Sequence, residues 1–201
     1  MTWWLKTKGV PAVLVASLVA LLAAVLARDS AIPVPSIVGT AGRLLVAQVL
    51  GMLPAVLLLH GMERGDASAE YVAVRGAGRR NIVLCLAFAA FWVLSAVLVH
   101  LVLDRPEALE LARNSVGFLG TALVVRPLLG AGIASVCVAA LPLVCAAAGH
   151  RPGGGAQPWA WPIHEATSYW GAAEAAALFL LGCVLLHLRP RPFVNPLARV
   201  A

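Results

Sequence analysis

The stretch GMERGDASAEYVAVRGAGRR, residues 61–80, is the only long polar interval in the first half of the chain. An apolar run at about 44–60 precedes it, and another at about 81–103 follows it. A backbone that crosses roughly 30 Å of hydrocarbon must satisfy its own hydrogen bonds, and about 20 apolar residues in a helix do so. The interval therefore predicts two transmembrane helices joined by a segment on one membrane face.

The composition of the whole chain points the same way. Hydrophobic residues make up 61% of the sequence and charged residues 12%, and the mean hydropathy is +0.90. These values lie far from those of a soluble domain. The net charge of +6 comes from basic residues at the edges of the apolar runs, where they anchor and orient a membrane protein. No nucleic-acid partner is expected.

We predict an all-α integral membrane protein, a single domain of six transmembrane helices. A short polar loop at 28–43, with Pro33 and Pro35, breaks the helical pattern between the first two spans. Apolar sequence after residue 110 is too long for one span, so we expect a tight hairpin at Arg126-Pro127. The spans are then about 9–27, 44–60, 81–103, 111–125, 128–148 and 169–187.

The distribution of Lys and Arg predicts the orientation, because cytoplasmic loops carry the excess of positive charge. With the N-terminus inside, the larger set is cytoplasmic: Lys6, Lys8, Arg64, Arg75, Arg79, Arg80, Arg126, Arg189, Arg191 and Arg199. The smaller set is on the outer side: Arg28, Arg43, Arg105, Arg113 and Arg151. Both termini and residues 61–80 are therefore expected in the cytoplasm, and the chain in the cell membrane.

Within 61–80 the acidic residues precede the basic ones, and the order suggests a local structure. Asp66 and Ser68 can cap a short helix that Gly76 and Gly78 would end. The charged positions are Glu63, Asp66, Glu70, Arg75, Arg79 and Arg80. They favour either a surface on which a soluble partner docks or a solvated loop whose arginines only anchor the third span in lipid headgroups.

This order of an acidic residue, a short helix and a Gly-interrupted basic cluster running into the third span resembles the cytoplasmic loop of type-2 ABC exporter permeases. The layout of the whole chain is also similar to theirs, whereas the similarity in residues covers about Glu63–Arg80. The resemblance implies a permease subunit that forms the substrate pathway and couples through 61–80 to separate ATP-binding subunits. It also implies a second permease chain, the same or related.

The ATPase must be a separate chain, because the sequence contains no GxxxxGK[ST] motif. We therefore expect this chain to bind no cofactor, and ATP and Mg to be bound by the partner subunit. By itself the chain is not expected to be an enzyme. Direct neighbours in the bilayer are membrane lipids.

A second group of candidate residues lies in and after the loop at 149–168, and could form a pathway or a gate: Trp159, Trp161, His164, Glu165, Tyr169, Trp170 and Glu174. The aromatic residues fit either an interfacial belt or a re-entrant gate. Glu174, near the start of the last span, either reaches the outer surface or lines a path. Adjacent His164 and Glu165 without a third ligand do not make a metal site.

Two other classes of function remain open. One is a small integral-membrane enzyme acting on lipid or isoprenoid substrates, with Glu63, Asp66 and Glu70 as the only cytoplasmic acids for a magnesium ion. The other is a non-catalytic membrane adaptor or immunity protein. The substrate and the direction of transport do not follow from these patterns.

Overall fold

The computed structural model of the chain describes residues 2–27, 30–34, 42–64, 77–151 and 155–188. These residues are mostly helical. The helices are α1 (Thr2–Thr7), α2 (Val10–Ala27), α3 (Val46–Leu50), α4 (Met52–Glu63), α5 (Ala77–Leu103), α6 (Glu107–Ala148) and α7 (Tyr169–Leu188). Two short strands, β1 (Ala31–Val34) and β2 (Gly42–Leu45), and a 3₁₀ turn at Trp161–Ile163 complete the described elements.

Within these ranges, five helical segments are long and apolar enough to cross a membrane. They are Val10–Ala27, Val46–Glu63, Gly78–Leu103, Glu107–Ala148 and Tyr169–Leu188. Their outer faces carry exposed large apolar side chains, such as Leu26, Leu101 and Leu188. Such faces would promote aggregation in water, whereas they are compatible with lipid. The structure is consistent with an all-α membrane protein, as the composition predicts.

The predicted loop at 28–43 contains a β-hairpin in the structure. β1 and β2 pair antiparallel with Ala31 opposite Leu45 and Pro33 opposite Arg43. Pro33 is tolerated here because a proline in an isolated two-stranded ribbon can face outward, where no ladder donor is needed. Pro35 lies outside the described residues. The second span consequently begins at Val46 rather than at residue 44.

The second span is interrupted a turn before Pro54. α3 ends at Leu50 and α4 begins at Met52, with Gly51 between them. Pro54 has no N–H to donate to the carbonyl of Leu50, so the continuous hydrogen-bond ladder is lost at that point. The closeness of Gly51 to Ser115 also requires a residue without a side chain, because a Cβ there would lie 2.8 Å from the Ser115 hydroxyl oxygen.

The longest helix, α6, is continuous through Arg126 and Pro127, where the sequence predicts a turn. The departure from helical geometry comes at Gly130, with φ 83° and ψ 167°, a conformation that side chains strongly disfavour. Pro127 is accommodated within helical geometry, whereas the glycine three residues later provides the conformational freedom. The location predicted for the turn is therefore wrong by a few residues.

Contacts at the two ends of α6 show that the helix folds back at Gly130. Arg113 donates to the carbonyl oxygens of His164 and Glu165, and the carbonyl of Gly149 accepts from the N–H of Gln157 at 2.6 Å. Residues 113 and 149 therefore both meet the segment at 157–165. In a straight helix they would lie about 54 Å apart. The halves of α6 before and after Gly130 thus run in opposite directions.

The first half of α6 is the centre of the molecule, with most residues from 108 to 127 buried and the others partly buried. It runs parallel to α7, since Gly117 faces Ala175, Gly120 faces Phe179 and Leu123 faces Gly182. A Cβ on Gly120 would lie 2.5 Å from the backbone nitrogen of Phe179. Small residues at these positions let the two helices approach closely where the hydrophobic effect offers no driving force.

Candidate functional site

One end of the helix bundle collects several positively charged side chains, and we call it the basic end. α1, the end of α4, the start of α5 and the middle of α6 meet there. The link between α4 and α5 is made by Cys85, whose thiol contacts the sulfur of Met62 at 3.9 Å. The described cations of the basic end are Lys6, Lys8, Arg64, Arg79, Arg80 and Arg126.

An ion pair joins α4 to α6 at the basic end. Glu63, the last residue of α4, is half-buried and accepts from the guanidinium Nε of buried Arg126. The sequence predicts Arg126 as part of an exposed cytoplasmic turn, and the structure places it in a helix with 5% of its surface exposed. A buried charge is costly unless it is paired, so Glu63 explains why Arg126 is tolerated there.

Lys8, which follows α1, contacts the end of α4 at the basic end. Its ammonium donates to the carbonyl oxygen of Met62 at 2.8 Å, and the residue is 1% exposed. The carbonyls of the last helical turn have no partner within the helix and carry partial negative charge, which a lysine neutralises well. Gly61 allows this approach, because a Cβ at that position would collide with the backbone carbonyl of Lys8.

Arg79 and Arg80 lie in the first turn of α5 and are exposed. Positive charges at a helix N-terminus oppose the helix dipole, so these arginines do not stabilise α5 itself. Their placement suits either an anionic partner or lipid headgroups. Of the other predicted coupling residues, Asp66, Glu70 and Arg75 lie outside the described residues, and with them the short helix expected near 66–74.

The opposite end of the bundle contains a buried polar network that sequence reasoning missed. It consists of Gln48, Glu110, Arg113 and Asn114. Gln48 donates to Glu110 at 2.8 Å and accepts from the N–H of Leu45 at 3.0 Å, which ties the β-hairpin to the bundle. Glu110 and Arg113 lie 3.8 Å apart, one helical turn from each other.

The network also holds the segment before α7 in place. Arg113 donates to the carbonyls of His164 and Glu165, both at 2.7 Å, and Asn114 donates to the carbonyl of Pro162 at 2.9 Å. A guanidinium offers several donors in a fixed plane, which suits it to two adjacent carbonyls. The sequence feature that could have indicated this network is the polar run Glu110-Leu111-Ala112-Arg113-Asn114. Its charges suggest the edge of a loop, but it lies inside α6.

The predicted pathway or gate residues divide into buried and exposed groups. Trp161 is 3% exposed and packs on Phe118, with ring centroids 5.2 Å apart, in the space left by Gly117. The indole of Trp159 and the rings of Tyr169 and Trp170 are exposed. Of these four aromatic residues, Trp161 is the one that belongs to the packed core.

His164, Glu165 and Glu174 also have different surroundings. The imidazole of His164 contacts the Ser168 hydroxyl at 3.1 Å and the Gln157 carbonyl at 3.0 Å, whereas the Glu165 side chain is exposed. One carboxylate oxygen of Glu174 is buried without a hydrogen-bond partner among the described residues. No three His, Cys, Asp or Glu side chains in the described part of the chain are grouped so that they could hold a metal ion.

An apolar groove of about 850 Å³ lies on the side of the bundle, between α2, α4 and the second half of α6. Its walls include Ala12, Ala16, Leu53, Leu57 and Val136. Ser135 supplies the only polar side chain among the residues that line it. The groove can take an apolar ligand, and it offers no groups for acid–base chemistry.

Comparison with protein-family models, with curated proteins and with solved structures finds no similar family, protein or structure. The function of the chain must therefore be argued from its own residues.

Proposed function

We propose that this chain is the permease subunit of an ABC-type exporter, which forms the substrate pathway in the cell membrane. In this proposal α2, α3 with α4, α5, the two halves of α6, and α7 make six crossings. An even number of crossings leaves both termini on one side, and the positive charge of the basic end favours the cytoplasm for that side.

The observation that carries the proposal is the convergence at the basic end. The base of the 61–80 interval is not a free loop, because Glu63 is held by Arg126 and the carbonyl of Met62 is held by Lys8. A force applied to this interval by a docked partner would therefore be passed to α6 and to the first span. A loop that only anchors α5 in headgroups needs no such connections.

In the proposed complex, an ATP-binding cassette subunit docks on 61–80 and supplies ATP and Mg. Arg79 and Arg80 are exposed and contribute little to their own helix, so they are available to acidic groups of that subunit. A second permease chain, identical or related, completes the pathway. The chain itself contributes the transmembrane helices and the coupling surface.

The alternative of a magnesium-dependent lipid enzyme is less well supported. It depends on Glu63, Asp66 and Glu70, and the one acid of these that the structure describes, Glu63, is paired with Arg126. A carboxylate engaged with a buried guanidinium is a poor magnesium ligand, since binding the metal would leave the arginine unpaired. An adaptor or immunity protein would require neither the ion pair nor exposed arginines at α5.

The proposal is tested by co-expression with ATP-binding cassette proteins from the same genome, beginning with any that is encoded beside this chain. We expect the intact chain to retain such a subunit in detergent. The double variant Arg79→Glu and Arg80→Glu should weaken the complex by about tenfold or more, because it places acids opposite an acidic surface. Pull-down and ATPase activity in proteoliposomes measure this.

The matched control is Arg151→Glu, which reverses an exposed arginine on the opposite side of the bundle. It should leave the complex and its ATPase activity unchanged. If no ATP-binding subunit is retained, or if both variants behave alike while the chain remains folded, the coupling proposal is wrong and plain anchoring explains the arginines.

A further inference from the structure

The apolar groove extends along only about half of the membrane. On α2 its wall runs from Pro11 to Ala20, which is roughly 13.5 Å at 1.5 Å per residue. The hydrocarbon core of a bilayer is about 30 Å thick, so one leaflet contributes about 15 Å. The groove therefore matches the depth of one leaflet, and this leaflet is the one at the basic end, where α2 begins.

The groove ends at the basic end beside cations. His60 lies one turn beyond Leu57 of the groove wall, and its ring nitrogen is 3.5 Å from the hydroxyl of Ser135, another wall residue. Arg64 approaches Gly9, two residues before Pro11, and both Arg64 and Lys6 are exposed. An apolar slot with exposed positive charge at one mouth is complementary to an amphiphile with an anionic head.

We propose that this groove binds an anionic phospholipid of the leaflet at the basic end. One acyl chain lies between α2, α4 and the second half of α6, and the phosphate lies near Lys6 and Arg64. A transmembrane helix of a second copy fits less well, because it would cross both leaflets and meet the groove in only one. This inference concerns a lipid site and does not depend on any ATP-binding subunit.

The cytoplasmic placement proposed for the basic end supports the same ligand. The cytoplasmic leaflet of cell membranes carries the anionic lipids, and positive side chains near that surface are attracted to it. The wall of the groove is almost free of polar groups, so its occupant contributes dispersion contacts and hydrophobic burial but little specificity. The selectivity must therefore come from the cations at the mouth.

The experiment uses the full chain purified in mild detergent, with phosphatidylglycerol and phosphatidylcholine of identical acyl chains as probes. Native mass spectrometry measures the lipid bound per chain and its dissociation constant. We expect phosphatidylglycerol to bind more tightly. Changing Lys6→Gln and Arg64→Gln should weaken its binding by about fivefold for each cation removed and leave phosphatidylcholine unaffected.

A second pair of variants separates the groove from the general lipid-facing surface. Ala16→Trp fills the groove and should weaken both lipids, whereas Ala177→Trp, at an exposed alanine of α7 outside the groove, should not. Melting temperature in detergent reports whether each variant is folded. The charge variants lie outside the bundle core, so they remain informative if Ala16→Trp is unstable.

A photo-crosslinking side chain at position 12 identifies the occupant in the native membrane. Cross-links to phospholipid support the proposal. Cross-links mainly to a second copy of the chain would overturn it, as would equal affinity for the two lipids or equal lipid binding by the two tryptophan variants.

Discussion

Arg113 is a buried cation whose guanidinium serves four partners at once: Glu110, Asn114 and the two carbonyls before α7. We predict that Arg113→Ala lowers the stability of the chain by about 3 kcal/mol, because it leaves the buried Glu110 carboxylate without its cation and two carbonyls without a donor. Arg113→Lys should recover part of the loss, since it restores the charge but not the planar set of donors.

Thermal unfolding in detergent, followed by intrinsic tryptophan fluorescence, measures the effect, and buried Trp161 in the affected segment contributes to the signal. Arg151→Ala is the control, because this arginine is exposed. If Arg113→Ala unfolds at the same temperature as the Arg151→Ala control, the network does not hold the segment before α7 in place.

Single residues are also where the sequence is least informative. Glu63 and Arg126 are 63 positions apart, and Gln48 and Glu110 are 62 apart, so neither pair is visible as a local pattern. A charged residue at the edge of an apolar run can end a helix or lie inside one, and the preference depends on a partner elsewhere in the chain. For this reason the sequence predicts Arg126 in a turn and Arg113 at the outer edge of a span.

At the scale of elements, Gly130 decides where α6 reverses. Its φ of 83° and ψ of 167° belong to a region that is essentially restricted to glycine. We predict that Gly130→Ala destabilises the chain by about 1–3 kcal/mol, the usual strain of such a conformation. Gly132→Ala, two residues away in a helical and uncrowded position, should be neutral or slightly stabilising because alanine is the better helix former.

Each variant adds one methyl group to α6. The difference between their unfolding temperatures therefore measures the strain of the backbone conformation at position 130. Equal temperatures would contradict the assignment of the reversal to Gly130. Greater stability of Gly130→Ala would instead indicate that α6 continues as one straight helix through this position.

The elements that the sequence predicts well are those decided by apolar length alone. The run at 9–27 becomes Val10–Ala27, and the run at 169–187 becomes Tyr169–Leu188. Hydrocarbon thickness determines these lengths, so no knowledge of neighbours is needed. The reversal in α6 could not be located in the same way, because Pro127 and Gly130 both interrupt helices and the choice between them depends on how the halves pack.

For the whole molecule, the parity of crossings is the property that links the fold to the proposed function. If α6 crosses the membrane twice, the start of α6 and the segment after it lie on the same side, and the two chain termini also lie together. If α6 crosses once, its start and the segment after it lie on opposite sides, and so do the two chain termini. The contacts of residues 113 and 149 with the segment at 157–165 favour two crossings.

We therefore predict that short epitope tags inserted after Asp104 and after Arg151 are both reached by antibody in intact spheroplasts, because both positions are exposed on the outer side of the proposed six-span arrangement. A tag after Arg64 and a tag at the C-terminus should be reached only after permeabilisation, since cytoplasmic segments carry the excess of positive charge and the proposed arrangement puts the basic end on that side. The tag after Arg64 is the control for membrane integrity. If the tags after Asp104 and Arg151 lie on opposite sides, α6 crosses once, the termini are separated, and the shared cytoplasmic end that the coupling proposal requires does not exist.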